Sequence, residues 1–152
     1  MYSADDLKSP NWRELVIKRQ DMYFGTKGAN PEFIATGIAN GALLLGCMNI
    51  EIRNIDGFWL VASDKDWFKA ASVVNVNESD VFNRCYTFPE AGQNCFRYES
   101  FAEIFSSSLI TFDGDKINQL KGDKSDVVVF KGLLKQLKFK SRVVGFAFTK
   151  AI

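Results

Sequence analysis

Asn49-Ile50-Glu51-Ile52-Arg53-Asn54-Ile55-Asp56-Gly57-Phe58-Trp59-Leu60-Val61-Ala62 is the stretch that decides the fold. Upstream of it the apolar residues fall at helical spacing; here they alternate with charge, the mark of a half-buried strand. Asp56-Gly57 supplies hairpin-turn chemistry, and Phe58 to Ala62 is the returning strand. Before the hairpin, Asn30-Pro31 gives a cap followed by proline, and Glu32 suits the positive end of a helix. A helix is therefore expected from Pro31 to about Leu45, stopped by Gly46. Its small residues Ala35, Gly37, Ala39, Gly41 and Ala42 cost helix propensity but let another element approach closely. Ser9-Pro10 repeats the start signal for a first helix, Trp12 to Gln20, followed by a turn-rich loop over Asp21 to Gly28.

After the hairpin, Ser63-Asp64 is expected to cap a short helical turn through Trp67 and Ala70, and Val73 to Asn77 is a strand candidate. Pro89 and Gly92 mark a loop. Ser100 and Glu103 have capping-box spacing for a helix over Phe101 to Ser107. Leu109 to Phe112, the turn Asp113-Gly114-Asp115-Lys116 and Ile117 to Lys121 form a second hairpin. Val127 to Lys131 is a continuous apolar run and reads as a central strand. One helical turn over 133–138 and a last strand from Arg142 to Thr149 complete the chain. The order implies an α+β fold: a two-layer sandwich, with a mixed or antiparallel sheet and helices on one face, as a single domain over 1–152.

The chain has 152 residues and is 47% hydrophobic, enough for a core without staples, and fourteen phenylalanines should dominate it. It has no histidine, which excludes Ser-His-Asp and Cys-His nucleophile pairs and His-ligated zinc from this chain. Cys47, Cys85 and Cys95 form no C-x-x-C pair, and the first residues lack an apolar stretch. Both point to a reducing, cytoplasmic setting. The longest apolar stretch, Ile38 to Cys47, falls far short of the ~20 residues of a membrane span. Charge is nearly balanced at 19 Lys+Arg against 18 Asp+Glu, but residues 1–114 carry 15 acidic and 10 basic side chains, and 115–152 carry 9 basic and 3 acidic. The lysines of the basic end sit between apolar residues, as on a solvated sheet, so nucleic-acid binding is not the expectation.

Ile17-Lys18-Arg19-Gln20-Asp21-Met22-Tyr23-Phe24-Gly25 resembles the "V-R-K-R-P-G-M-Y-I-G" segment of the DNA gyrase B ATPase domain, a member of the GHKL ATPases. Lys18, Arg19, Met22, Tyr23 and Gly25 match, and Gln20-Asp21 replaces Pro-Gly. The loop, long helix and strand–turn–strand that follow also fit. Phe101 to Asp123 resembles the later helix and hairpin, and Val127 to Phe130 the "T-V-x-F" strand. The resemblance implies a GHKL-like fold over about 120 residues.

It also implies where chemistry would lie. The family's long helix carries Glu-x-x-x-Asn, with Glu as the base for water and Asn on magnesium; here the positions hold Thr36 and Asn40. A threonine hydroxyl takes no proton near neutral pH. The family's Asp-x-Gly-x-Gly falls on Ala62-Ser63-Asp64-Lys65-Asp66, without the glycines, and Ala62 stands at the Asp position unless the register shifts to Asp64. The glycine-rich phosphate lid corresponds to Glu90-Ala91-Gly92-Gln93-Asn94. The resemblance therefore implies a decayed nucleotide site whose remnant is Thr36 and Asn40, with no catalytic residue, cofactor or metal.

Without histidine an enzyme here would have to work with carboxylates, lysines, tyrosines or a bound ion, and a small chain with no obvious catalytic constellation is expected to act by binding. The expected function is a non-catalytic protein-binding module, and more narrowly a bacterial immunity or antitoxin protein that blocks a toxin such as a nuclease. Residues 51–114 hold 10 acidic and 5 basic side chains, and Asp64, Asp66, Glu78, Asp80 and Glu90 are the expected contacts to a basic cleft. The alternatives are a divergent ATP-binding GHKL domain or ATPase regulator, and a scaffold subunit of a larger assembly. Asp113-Gly114-Asp115 reads as turn chemistry; position twelve of a calcium loop would be Lys124. Trp59 and Trp67 are expected core anchors.

Overall fold

The computed structural model describes residues 11–69, 77–83, 88–92 and 95–150. The helix start at Ser9-Pro10, most of the strand candidate over 73–77, Cys85, and Gln93 and Asn94 lie outside the described residues.

The chain folds as α1 (Trp12–Lys18), α2 (Gln20–Phe24), α3 (Pro31–Leu44), β1 (Ile50–Ile55), β2 (Phe58–Ser63), α4 (Glu78–Asn83), α5 (Glu99–Ile104), β3 (Ser106–Phe112), β4 (Ile117–Lys121), α6 (Lys124–Leu134) and β5 (Arg142–Phe148). Short 3-10 turns occupy Trp67–Lys69 and Pro89–Ala91. Asn11, one residue past the expected Ser9-Pro10 signal, caps α1 by accepting from Arg13 N at 3.1 Å. Asn30 caps α3 by accepting from Phe33 N at 2.8 Å, with Pro31 in the first turn. Residues expected as a loop after α1 instead make the single-turn helix α2.

Among the described residues the sheet has five strands in the order β1-β2-β5-β3-β4, and every neighbouring pair is antiparallel. Both expected hairpins are present. The first turns on Asp56 (φ 51°) and Gly57 (φ 83°), the two positive dihedrals of a type I′ turn. The α+β class and the antiparallel sheet agree with expectation; the distribution of helices does not entirely. Helices α1 to α5 cover one face, where Val16, Phe24, Ile34, Ile38, Phe82, Phe101 and Phe105 pack with Val61, Leu109, Val144 and Phe146. Helix α6 covers the other, where Phe130, Leu133 and Leu134 pack with Phe58, Leu60, Ile110 and Val143.

The run expected as a central strand, Val127 to Lys131, is the middle of α6, and the central strand is β5. The helix wins because Asp123 and Asp126 form a capping box at its start, and because Phe130, Leu133, Leu134 and Leu137 are buried at helical spacing while Val128 is 71% exposed. Helix α5 is shorter than expected, and Ser106-Ser107-Ser108 opens β3 rather than ending a helix. Ser100 sits inside α5, with its hydroxyl donating to Arg97 O at 3.0 Å.

Candidate functional site

A cavity of about 720 Å³ opens between α2, α3, α5 and residues 88–91 and 95–98. On α3 its wall is Gly37, Asn40, Gly41 and Leu44, which share one flank of the helix at i, i+3, i+4, i+7 spacing. Met22 and Tyr23 come from α2, Phe101 and Glu99 from α5, and Phe88, Cys95, Phe96, Arg97 and Tyr98 from the segment leading into α5. The small residues of α3 do what their size allows. A Cβ on Gly37 would lie 1.9 Å from the Tyr98 ring, and one on Gly41 would lie 3.5 Å from Phe88. The Tyr98 ring also stacks edge-on to Phe101 at 5.1 Å, and Tyr23 meets Phe101 at 5.7 Å, so the cavity is walled by coupled aromatics. Burial pushes the Tyr98 phenol up from its ordinary range, and nearby Cys95 adds to this. Cys95 itself donates to Ala91 O at 3.6 Å.

The back of the cavity is a buried ion pair. Arg97 and Glu99 are each 2% exposed. Arg97 donates to Glu99 from Nε (3.2 Å) and Nη2 (2.8 Å), and the Trp67 indole N–H donates to the same carboxylate at 3.0 Å. Three N–H donors thus converge on this one carboxylate. The guanidinium lies 5.5 Å from the Phe88 ring centre, and its Nη1 has no hydrogen-bond partner among the described residues.

No protein-family model matches this chain, and no curated protein or solved structure shows significant similarity to it. The site is therefore read from its own geometry.

The seven residues singled out from sequence scatter. Asn40 lines the cavity, whereas the exposed Thr36 is not part of its wall. Asp66 is a bidentate partner of Arg142, at 2.8 Å to both Nε and Nη2, and also accepts from Phe68 N at 3.0 Å. Asp66, rather than Asp64, thus caps the 3-10 turn. Glu78 accepts from the Thr111 hydroxyl, and its Oε2 lies 3.1 Å from Arg142 Nη1, an ion pair without hydrogen-bond alignment. Burial alone would lower the Arg142 pKa, but bonds from Asp66 and the Glu78 charge raise it overall. Asp64 accepts from Asn49 Nδ2 at 3.0 Å and from Met48 N at 3.1 Å, tying the entry of β1 to the exit of β2. These bonds, the Asn49 side chain first, hold its carboxyl below the usual range. Asp80 is half-buried on α4, and Glu90 is exposed on the 3-10 turn beside the cavity-lining Ala91.

Sequence reasoning missed Arg97, Tyr98, Glu99 and Arg142. A faint signal exists for the last: Arg142 is the one arginine among the basic residues after position 114. Arginine is favoured for bidentate buried pairs. Trp67 is buried as expected and Trp59 half-buried. Among the described residues no group of three or more Cys, Asp or Glu side chains converges as a metal site would need, and no helix is long and apolar enough to cross a membrane.

Proposed function

We propose that the chain is a non-catalytic protein-binding module, and more narrowly a bacterial immunity protein that blocks a toxin by seating one of the toxin's side chains in the cavity. The cavity carries this reading. Its volume of about 720 Å³ and aromatic lining suit an apolar anchor, and its mouth holds Met22 (62% exposed) and Leu44 (46% exposed). Among the described residues the one carboxylate in its wall, Glu99, is committed to Arg97 and Trp67, which argues for holding a partner rather than moving a proton. Of the acidic residues expected to meet a basic toxin, Glu90 is the exposed one beside the cavity; Asp66 and Glu78 serve Arg142 instead.

The test is a binding titration against candidate toxin nucleases, with Leu44→Lys and Glu90→Lys as the probing variants. Leu44→Lys should weaken the complex by roughly 30-fold or more, as expected for an anchor contact. Glu90→Lys should mainly slow association. A complex indifferent to both would exclude this face. One observation favours a second reading, a divergent ATP-binding domain: Asn40, the magnesium-holding position implied by the GHKL resemblance, does line the cavity. Saturable calorimetric binding of Mg-ATP that Asn40→Ala weakens would put that reading first.

A further inference from the structure

We infer that β1 is the seam of a two-fold dimer, in which the strand pairs antiparallel with β1 of a second copy, centred on Ile52. The proposal is independent of the cavity.

Among the described residues β1 ends the sheet, and its register fixes which of its groups are left over. The type I′ turn closes on Ile55↔Phe58, and pairing runs regularly through Arg53↔Leu60 and Glu51↔Ala62 to Ile50↔Ser63. In a two-residue hairpin the closing pair exchanges both hydrogen bonds, and bonded pairs then alternate. Asp64 N donating to Asn49 O at 3.1 Å keeps that phase beyond the strand. Ile55, Arg53 and Glu51 therefore bond inward to β2, and Ile50, Ile52 and Asn54 present N–H and C=O groups to the open edge.

Exposed edges are usually blunted by bulges, prolines or charged side chains, lysine above all; the two charges of β1, Glu51 and Arg53, are of opposite sign. The opposite edge has such features: the β3–β4 pairing carries a register shift and β4 ends in Lys121. β1 has six residues in regular register, with no proline, lysine or register shift.

Three further features commit the edge to its own copy. An antiparallel pair centred on Ile52 sets Ile52 against Ile52, a bonded pair, and Ile50 against Asn54. It also sets Glu51 of each copy against Arg53 of the other, and their side chains share the α6 face of the sheet. Opposite charges facing each other twice are self-complementary, as a two-fold interface requires. Glu51 Oε1 accepts from Phe139 N at 2.9 Å and from Lys138 N, while its Oε2 lies 3.8 Å from Arg53 Nη1 of the same chain, a loose pair that the dimer exchanges for two pairs across the seam. On the other face an apolar margin runs beside the edge. Ile52 is 40% exposed and Met48, just before the strand, 76%. Helix α3 packs over β1 and β2 and turns its cavity flank toward α5. Leu43, about 100° around the helix from Leu44 and 51% exposed, therefore lies on the flank toward the β1 edge.

Sedimentation of the full chain over a micromolar to submillimolar series tests this. The expected result is a monomer–dimer equilibrium whose dissociation constant rises by roughly 30-fold or more with Ile52→Lys or with Arg53→Glu, which sets two carboxylate pairs face to face. Both positions are exposed, so circular dichroism of each variant should match the parent. Amide exchange of the parent reads the register: Ile50, Ile52 and Asn54 should gain protection with concentration. A chain that stays monomeric throughout, a dimer that both variants leave intact, or concentration-dependent protection confined to other segments would each overturn the proposal.

Discussion

Arg142 shows how far a single side chain can be from the role its neighbours suggest. It sits at the start of β5, its side chain 5% exposed, chelated by Asp66, paired with Glu78 and lying 4.2 Å from the Phe68 ring centre. Two acidic positions read from sequence as a partner's contact surface are thus a cation's internal ligands. Replacing Arg142 by Met would leave those carboxylates facing each other without a counter-charge, a loss of about 3–5 kcal/mol. Urea unfolding should record it, whereas Glu90→Lys on the exposed turn should shift stability by no more than ~0.5 kcal/mol. Asp64 gives a pH signature. Its folded pKa lies below the ordinary value of 3.8, so its stabilising effect is complete above that value and lost as pH falls through the folded pKa. Asp64→Ala should therefore melt below the parent at neutral pH, and the gap should close in strong acid. None of these pairings was legible locally, because Asp66 and Arg142 are brought together only by the β2–β5 register, which places Ser63 against Arg142.

The hairpins were readable because their instructions are local: period-two alternation and turn residues that tolerate positive φ. Helix α3 was readable for the same reason, with Asn30 and Pro31 at its start. Helix α6 was not, since Val127-Val128-Val129-Phe130 carries strand-favouring residues whose fate is decided by the Asp123–Asp126 box and by which of them find a core. Its seat on the sheet depends on Gly145. The row Leu60–Gly145–Ile110 crosses three strands beneath Phe130, and a Cβ at Gly145 would come within 2.7 Å of the Phe130 ring and 2.9 Å of Leu60. Gly145→Ala should cost about 1–3 kcal/mol by overpacking. A double-mutant cycle with Phe130→Leu should recover part of that loss, because the strain is shared between the two positions.

At the scale of the molecule, the uneven charge of the sequence becomes a difference between faces. Lys124, Lys131, Lys135, Lys138 and Lys140 are exposed on α6 and the loop after it, on the face opposite the cavity. The α+β class and antiparallel sheet were legible from the order of elements. The cavity was legible only in part: the small residues of α3 and Asn40 mark one wall, while the other depends on Arg97, Tyr98 and Glu99, whose burial follows from packing between distant segments.

The position of β5 has a consequence for how the molecule comes into being. Among the strands of the described residues it comes last in chain order but lies in the middle of the sheet, inserted between β2 and β3. The two hairpins made earlier during synthesis share no hydrogen-bonded border until it arrives. While the ribosome is still adding Arg142 to Phe148, β2 and β3 each expose an unpaired inner edge, and Asp66 and Glu78 wait for their cation. Nascent chains held at that stage are the form most open to mispairing and to capture by chaperones.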